Sequence, residues 1–443
     1  MDNTSIQPHA TTQVTNKKGK GYIFPFALLC SLFFLWAAGN NLNDVLLPQF
    51  QQAFTLNNFT AGLIQTSFNL GYFIIPLPAG ILMKKMGYKA GVIAGLLLYA
   101  LGAALFWPAA EIRSYAFFLV GLFIIATGLG CLETAANPFI TVLGPQESGP
   151  FRLNLAQTFN SCGGVLAVVF GQGLILATVP HYSQDVLDKM SPQQLDEYKH
   201  SLLLAVQTPY MIIVGVVLFV ALLVVFTKFP TVQSDLRDDS QQGSLKSSFR
   251  RLIHIRHWRW AVLALFCYRG GEVAVWSYLI RYAVSEVPGM TVSFAANYLT
   301  ATLLCFFVGR IIGTWLISRY AAHVILSVFS FLTLTLCVIS ALTGGYTGLI
   351  VLCAASTFMS IQFPTIFSLG IKQLGQDTKY GSSLIVMAII GGGIVTPIMG
   401  LVSDLAGNIP TAELVPALCF AVIFFFARYR SQPQNVQNFE NMI

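Results

Sequence analysis

The sequence predicts an all-α membrane protein with twelve transmembrane helices in two six-helix bundles. Three observations predict it. Of 443 residues, 55% are hydrophobic and only 10% are charged, whereas soluble domains carry about 25% charged residues. Mean hydropathy is +0.68, more apolar surface than a soluble core can hide. The apolar residues gather into runs able to cross about 30 Å of hydrocarbon, and a polar stretch at 229–258 divides those runs six and six.

In chain order, residues 1–21 are polar and end in KKGKG. An apolar run follows with no small-residue cleavage site, so the start reads as a cytoplasmic tail before an uncleaved first span. The predicted spans are 24–50, 60–82, 90–108, 115–143, 151–177 and 209–228 in the first bundle (22–228). The second bundle (259–428) holds 259–284, 293–318, 323–343, 346–371, 380–402 and 413–428. Residues 178–208 form a polar, mildly acidic loop, residues 229–258 a linker that becomes basic, and 429–443 a polar tail. Among the 25 Lys and Arg residues, only Arg113, Lys189, Lys199 and Arg281 fall on the side opposite the N-terminus, and only Arg269 and Arg310 fall inside spans. This bias puts both termini in the cytoplasm.

The sequence pI is near 8.9, yet a nucleic-acid partner is not indicated. The basic 246–259 stretch joins two helices at the cytoplasmic side, where anionic lipid accounts for it. The eight cysteines all lie in apolar segments without metal-ligand spacing and read as small buried hydrophobes. Nothing resembles a phosphate loop, a metal cluster or a catalytic triad, so neither an enzyme nor a cofactor is expected.

Carboxylates inside spans carry the functional argument, because a mid-bilayer charge costs about 2.5–3.5 kcal/mol on insertion scales. Asp44 sits in NNLNDVLLP; Asn40, Asn43 and Asp44 share one helical side. A hydrogen-bonded helix break before Pro48 is the structural alternative. Glu133 sits in GLGCLETAANPF with Asn137 one turn on and Pro138 after it; Gly128 and Gly130 permit close packing just before. No cation lies near it in sequence. An acid held from water and cations favours its neutral form and ionises when water arrives, which suits a proton carrier. Interhelical hydrogen bonding is the alternative role. In CYRGGEVAVWSY, Arg269 and Glu272 are three residues apart and can pair within one helix. The pair is either self-neutralising structure or a cavity-facing site, and Trp276 one turn later is placed either to stack on a sugar ring or to pack. The fifth span carries Asn154, Gln157, Asn160 and Ser161, and the tenth has Gln362 before Pro364. These amides suit either interhelical hydrogen bonds or a neutral, hydroxyl-rich ligand.

At these residues the chain resembles a known family. GILMKKMGYKAG (Gly80–Gly91) is similar to the loop signature of the major facilitator superfamily, with Lys84 at the usual acidic position. NNLNDVLLPQFQQAFTL, GCLETAANPF, RLNLAQTFNS, SIQFPTIFSLGIK, QDTKYGSS and GGGIVTP resemble its bacterial L-fucose:proton symporters along nearly the whole chain. The resemblance implies proton-driven uptake of L-fucose, a related 6-deoxy sugar or a pentose by alternating access, by a chain acting as a monomer in the lipid bilayer. It implies Asp44 and Glu133 as proton-coupling residues. Expected sugar ligands are Asn43, Glu133, Asn137, Gln157, Asn160, Arg269, Glu272, Trp276 and Gln362. The sequence departs from those symporters at Arg269 and Glu272, where theirs is uncharged. That departure opens a second expectation, an acidic sugar-like ligand with Arg269 as counter-ion. A non-transporting sugar sensor is the remaining alternative.

Overall fold

The computed structural model describes residues 23–54, 67–68, 70–176, 186, 189–229 and 245–431, and every element among them is helical. The first bundle is built from α1 (Ile23–Ala53), α2 (Pro76–Ala104), the short α3 (Phe106–Glu111), α4 (Tyr115–Val142), α5 (Gly149–Leu176) and α6 (Pro192–Phe226). Two successive spans run together in α2. They change direction at Gly87, whose φ of 83° and ψ of 169° belong to a region open essentially to glycine. That turn is the Gly80–Gly91 loop.

The second bundle follows α7 (Leu245–His254). It comprises α8 (Arg256–Glu286), α9 (Val292–Arg319), α10 (Ala322–Thr343), α11 (Gly345–Met359) with α12 (Gln362–Ile371), α13 (Thr378–Met387) with α14 (Gly391–Ala406), and the short α15 (Ile409–Ala412) with α16 (Leu414–Ser431). Eight helical stretches among the described residues are long and apolar enough to cross a membrane. Helices α5 and α8, of 28 and 31 residues, are of spanning length but less apolar, with amides in α5 and the Arg269 and Glu272 charges in α8. All eight cysteines are free thiols.

Two elements differ from the sequence reading. Residues 192–208, expected in a loop, are the first turns of α6. Ser191 caps this helix: its hydroxyl accepts from Gln194 N, while the Gln194 side chain accepts from Ser191 N. This reciprocal cap starts a helix wherever the next turns can bury one face, and Tyr198, Leu202 and Val206 supply that face. The linker contains a helix of its own, α7. Its Arg251 holds Asp377 through Nη2 at 2.6 Å and Nε at 2.8 Å. That hydrogen bond raises the Arg251 pKa above its already high ordinary value, so the guanidinium stays charged at any physiological pH.

Close packing within the first bundle depends on glycine. A methyl at Gly128 of α4 would run into the Tyr99 backbone nitrogen of α2, so the expected close approach before Glu133 is real. The α4 C-terminus leaves carbonyls without helical donors, and the buried Arg152 fills that need. Its Nε donates to Ile140 O at 3.0 Å and its Nη2 to Thr141 O at 2.5 Å.

Candidate functional site between the bundles

The bundles join near one end, the end holding the 143–148 and 372–377 turns. There Gly80 of α2 packs on Ser383 of α13, Lys84 lies 4.8 Å from the Tyr380 ring centroid, and Lys379 lies 5.2 Å from that of Tyr88. Somewhat deeper, Asn154 Nδ2 of α5 donates to Thr365 Oγ1 of α12 at 3.1 Å.

Arg310 of α9 makes the central connection. It is buried, donates from Nε to Ser360 O at 2.8 Å and from Nη2 to the same carbonyl, and reaches across with Nη1 to Gln157 O at 3.1 Å and Gln157 Oε1 at 3.3 Å. In the sequence Arg310 shows only as a cation inside a span. Its isolation from any acid in CFFVGRIIG was the available signal, because such a cation needs carbonyl partners from other helices.

Above this closure stand the polar residues singled out from the sequence. Glu133 is 4% exposed and takes part in no hydrogen bond or ion pair among the described residues. Asn137 Oδ1, one turn on, accepts from Gln157 Nε2 at 3.4 Å, while its own Nδ2 has no partner among the described residues. Asn160 is half-buried and donates to Phe33 O at 3.0 Å, tying α5 to α1. Trp36 Nε1 donates to the Tyr72 hydroxyl beside Glu133. Asn43 and Asp44 belong to α1, but their side chains lie outside the described residues.

From the second bundle, Arg269 and Glu272 form the ion pair that their spacing predicts, Nη1 to Oε2 at 2.5 Å. Tyr268 donates to Glu272 Oε1, also at 2.5 Å. The pair is lopsided: the Glu272 side chain is 3% exposed and that of Arg269 is 36% exposed. The partly exposed guanidinium is also within electrostatic reach of Glu133 and Tyr72 on the opposite bundle. This corrects the sequence picture of Glu133 as an acid with no cation near it. The two residues are far apart in sequence, and only packing one bundle on the other brings them together. Trp276 donates to Ser356 Oγ at 3.0 Å and meets Phe306 edge-on at 5.1 Å, so its nitrogen is engaged and part of its ring stays open.

Gln362 is placed differently from the rest. It is fully buried and its Nε2 donates to Thr333 Oγ1 and Phe358 O, both at 3.0 Å. These bonds lie inside the second bundle at the α11–α12 break, so Gln362 closes a helix discontinuity instead of facing the first bundle. Glu413, given no role by the sequence reading, is fully buried where α15 meets α16, and both its carboxyl oxygens lack partners among the described residues. Its signal was a lone acid directly before an apolar run. No group of three or more His, Cys, Asp or Glu able to hold a metal occurs among the described residues.

The arrangement can do limited chemistry. A carboxyl with no bonded partner can take up and release a proton, and flanking amides and a half-open indole can hold hydroxyl groups.

Comparison with known proteins agrees with this geometry. The model of the Major Facilitator Superfamily matches residues 29–397. An L-fucose-proton symporter from Escherichia coli (strain K12) is 72% identical over 434 residues, covering 98% of this chain and 99% of that protein. A glucose/galactose transporter from Brucella abortus biovar 1 (strain 9-941) is 36% identical over 426 residues, 96% and 98% of the two chains. The crystal structure of the transporter FucP in the outward conformation matches with a TM-score of 0.89 and 74% identity, over 93% of this chain and 100% of that one. The proton:xylose symporter XylE, at 12% identity and a TM-score of 0.68, shares the fold.

Proposed function

Because this chain belongs to the Major Facilitator Superfamily, we propose that it carries a neutral monosaccharide together with a proton into the cell by alternating access. L-fucose, a related 6-deoxy sugar or a pentose is the substrate, as the 72% identity to an L-fucose-proton symporter supports. The membrane is the bacterial inner membrane, with both termini and the closed end of the bundles cytoplasmic. The likeness to FucP in the outward conformation supports that orientation. The chain works as a monomer.

One observation carries the reading: Glu133 is buried between the bundles without a bonded partner among the described residues, at the level of amides and an indole suited to a sugar. In this mechanism Glu133 and Asp44 take the proton from outside. The sugar settles against Asn137, Gln157, Asn160 and Trp276, with Asn43 contributing from α1. Arg269 donates to a hydroxyl with the N–H groups that Glu272 leaves free. Occupancy of both sites neutralises the interface, the bundles rock, and the Arg310–Gln157 connection opens to release sugar and proton inside.

The charge balance favours a neutral ligand over an acidic one. Arg269 is already matched by Glu272 at 2.5 Å, so an anionic substrate would have to compete with a buried carboxylate for its paired cation.

Proteoliposomes containing the purified protein, given an inward proton gradient, are expected to accumulate labelled L-fucose and to lose it on addition of a protonophore. Failure to concentrate any sugar of this class, or indifference to the protonophore, overturns the proposal. Stronger uptake of a uronic acid than of L-fucose would establish the acidic-ligand alternative.

A further inference from the structure

Helix α7 is docked by one face only. Ser248 and Leu252 are buried, Leu252 packs beside Gly381 and Trp258, and Arg251 is clamped on Asp377. The opposite face is exposed, and its composition is mixed. Phe249 is 46% and Ile253 is 42% exposed; Lys246, Arg250 and His254 are exposed beside them. Lys246 and Arg250 are one turn apart, as are Phe249 and Ile253, so a basic stripe and an apolar stripe run side by side. The first turn of α8 adds the exposed Arg256 and Arg259.

Water would leave the Phe249 and Ile253 stripe hydrated, and hydrocarbon would strand the Lys and Arg charges. The boundary between headgroups and acyl chains satisfies both stripes. The sign of the partner follows from the charge. Residues 245–260 contain no Asp or Glu, and the acid that α7 does meet, Asp377, is taken by Arg251. Arg256 lies over the Tyr429 ring, and among the described residues Lys246, Arg250 and Arg259 form no ion pair, so these three can meet a negative group from outside the protein. The Arg251 clamp sets the orientation: it fixes the rotation of α7 about its axis, so both stripes are presented together.

We propose that the exposed face of α7 and the first turn of α8 form a docking site for anionic phospholipid. Lys246, Arg250 and Arg259 meet headgroup phosphates, and Phe249 and Ile253 enter the acyl boundary. The proposal depends on the membrane fold and is independent of which solute is carried.

The test measures lipid retention directly. Full-length protein in mixed micelles of phosphatidylglycerol and phosphatidylcholine is examined by native mass spectrometry, in wild type, Lys246→Gln/Arg250→Gln/Arg259→Gln and Phe249→Ser/Ile253→Ser. Wild type is expected to retain phosphatidylglycerol over phosphatidylcholine, with the preference falling as salt rises. Each basic side chain removed should weaken the preference by about fivefold. The serine variant should lose retained lipid of both kinds. L-fucose binding measured by calorimetry should stay unchanged in both variants, which separates loss of the dock from loss of the fold. Equal retention of the two lipids by wild type overturns the proposal, whatever the variants do. So does an undiminished phosphatidylglycerol preference in the glutamine variant. Displacement of the lipid by millimolar glycerol phosphate would show a site for soluble phosphate, which also overturns it. No proton gradient or sugar enters the lipid measurement, so its failure is distinct from failure of the transport reading.

Discussion

Replacing Arg269 by Met should destabilise this protein more than replacing Glu272 by Gln, although the two side chains form one ion pair. The asymmetry comes from exposure: the Glu272 side chain is 3% exposed and that of Arg269 is 36% exposed. Arg269→Met strips the cation from a carboxylate that water barely reaches and leaves it the Tyr268 hydroxyl alone. A charge-assisted hydrogen bond contributes about 1.5–3 kcal/mol, and an uncompensated buried charge brings the cost of breaking such a pair to about 3–5 kcal/mol. Local relaxation and water entry can relieve part of that, so about 3 kcal/mol is the expected loss. In Glu272→Gln, the amide oxygen still accepts from one donor and the orphaned guanidinium keeps contact with water, so the loss should be about 1 kcal/mol. The double variant removes both charges and should fall close to wild type. At about 2–4 °C per kcal/mol for a cooperative unit of 150–250 residues, Arg269→Met should melt about 6–12 °C below wild type in detergent. The single and double variants, followed by thermal unfolding, complete a double-mutant cycle. If Arg269→Met melts with or above Glu272→Gln, the pair is not holding a buried charge and the reasoning fails.

Glu133→Gln and Asp44→Asn should each abolish gradient-driven accumulation, and counterflow exchange of sugar should survive in at least one of them; full accumulation by both variants would remove the coupling role from these acids. Arg310→Met removes two donor contacts to Gln157 that cross between the bundles. At about 1.5–3 kcal/mol for bonds to a charged group, it should shift the balance between the two access states by roughly tenfold or more, read as increased labelling of cysteines placed on the cytoplasmic side. Unchanged labelling would show that other contacts hold that end closed. A methyl at Gly391 would meet the Phe266 carbonyl, so Gly391→Ala should push α14 off α8 and lower the melting temperature, while Gly393→Ala, in open space, should have no effect.

The sequence by itself determined the architecture of this protein and most of its candidate chemistry. Hydrophobic runs of bilayer length can only be helices that satisfy their own backbone bonds, and a carboxylate retained in such a run announces a function because it is costly to keep. The i, i+3 spacing of Arg269 and Glu272 was enough to predict their pairing, since both ends of that contact lie on one helix. The capping of α6 by Ser191 was equally local, but polar composition outweighed it in the sequence reading. Tertiary structure decided what depends on the placement of one helix against another. Gln362 and Asn137 are similar amides beside prolines, yet Gln362 bonds across its own helix break while Asn137 accepts from Gln157, the residue that Arg310 of the other bundle holds. Arg310 found its carbonyls on α5 and at the α11–α12 break, and Glu133 acquired a cation from α8. Gln157 and Ser360, which hold Arg310, and Arg269, which faces Glu133, all lie far along the chain from the residue they serve, so no periodicity records them. They exist because two bundles pack face to face, and the sequence specifies that face only through the sum of its contacts.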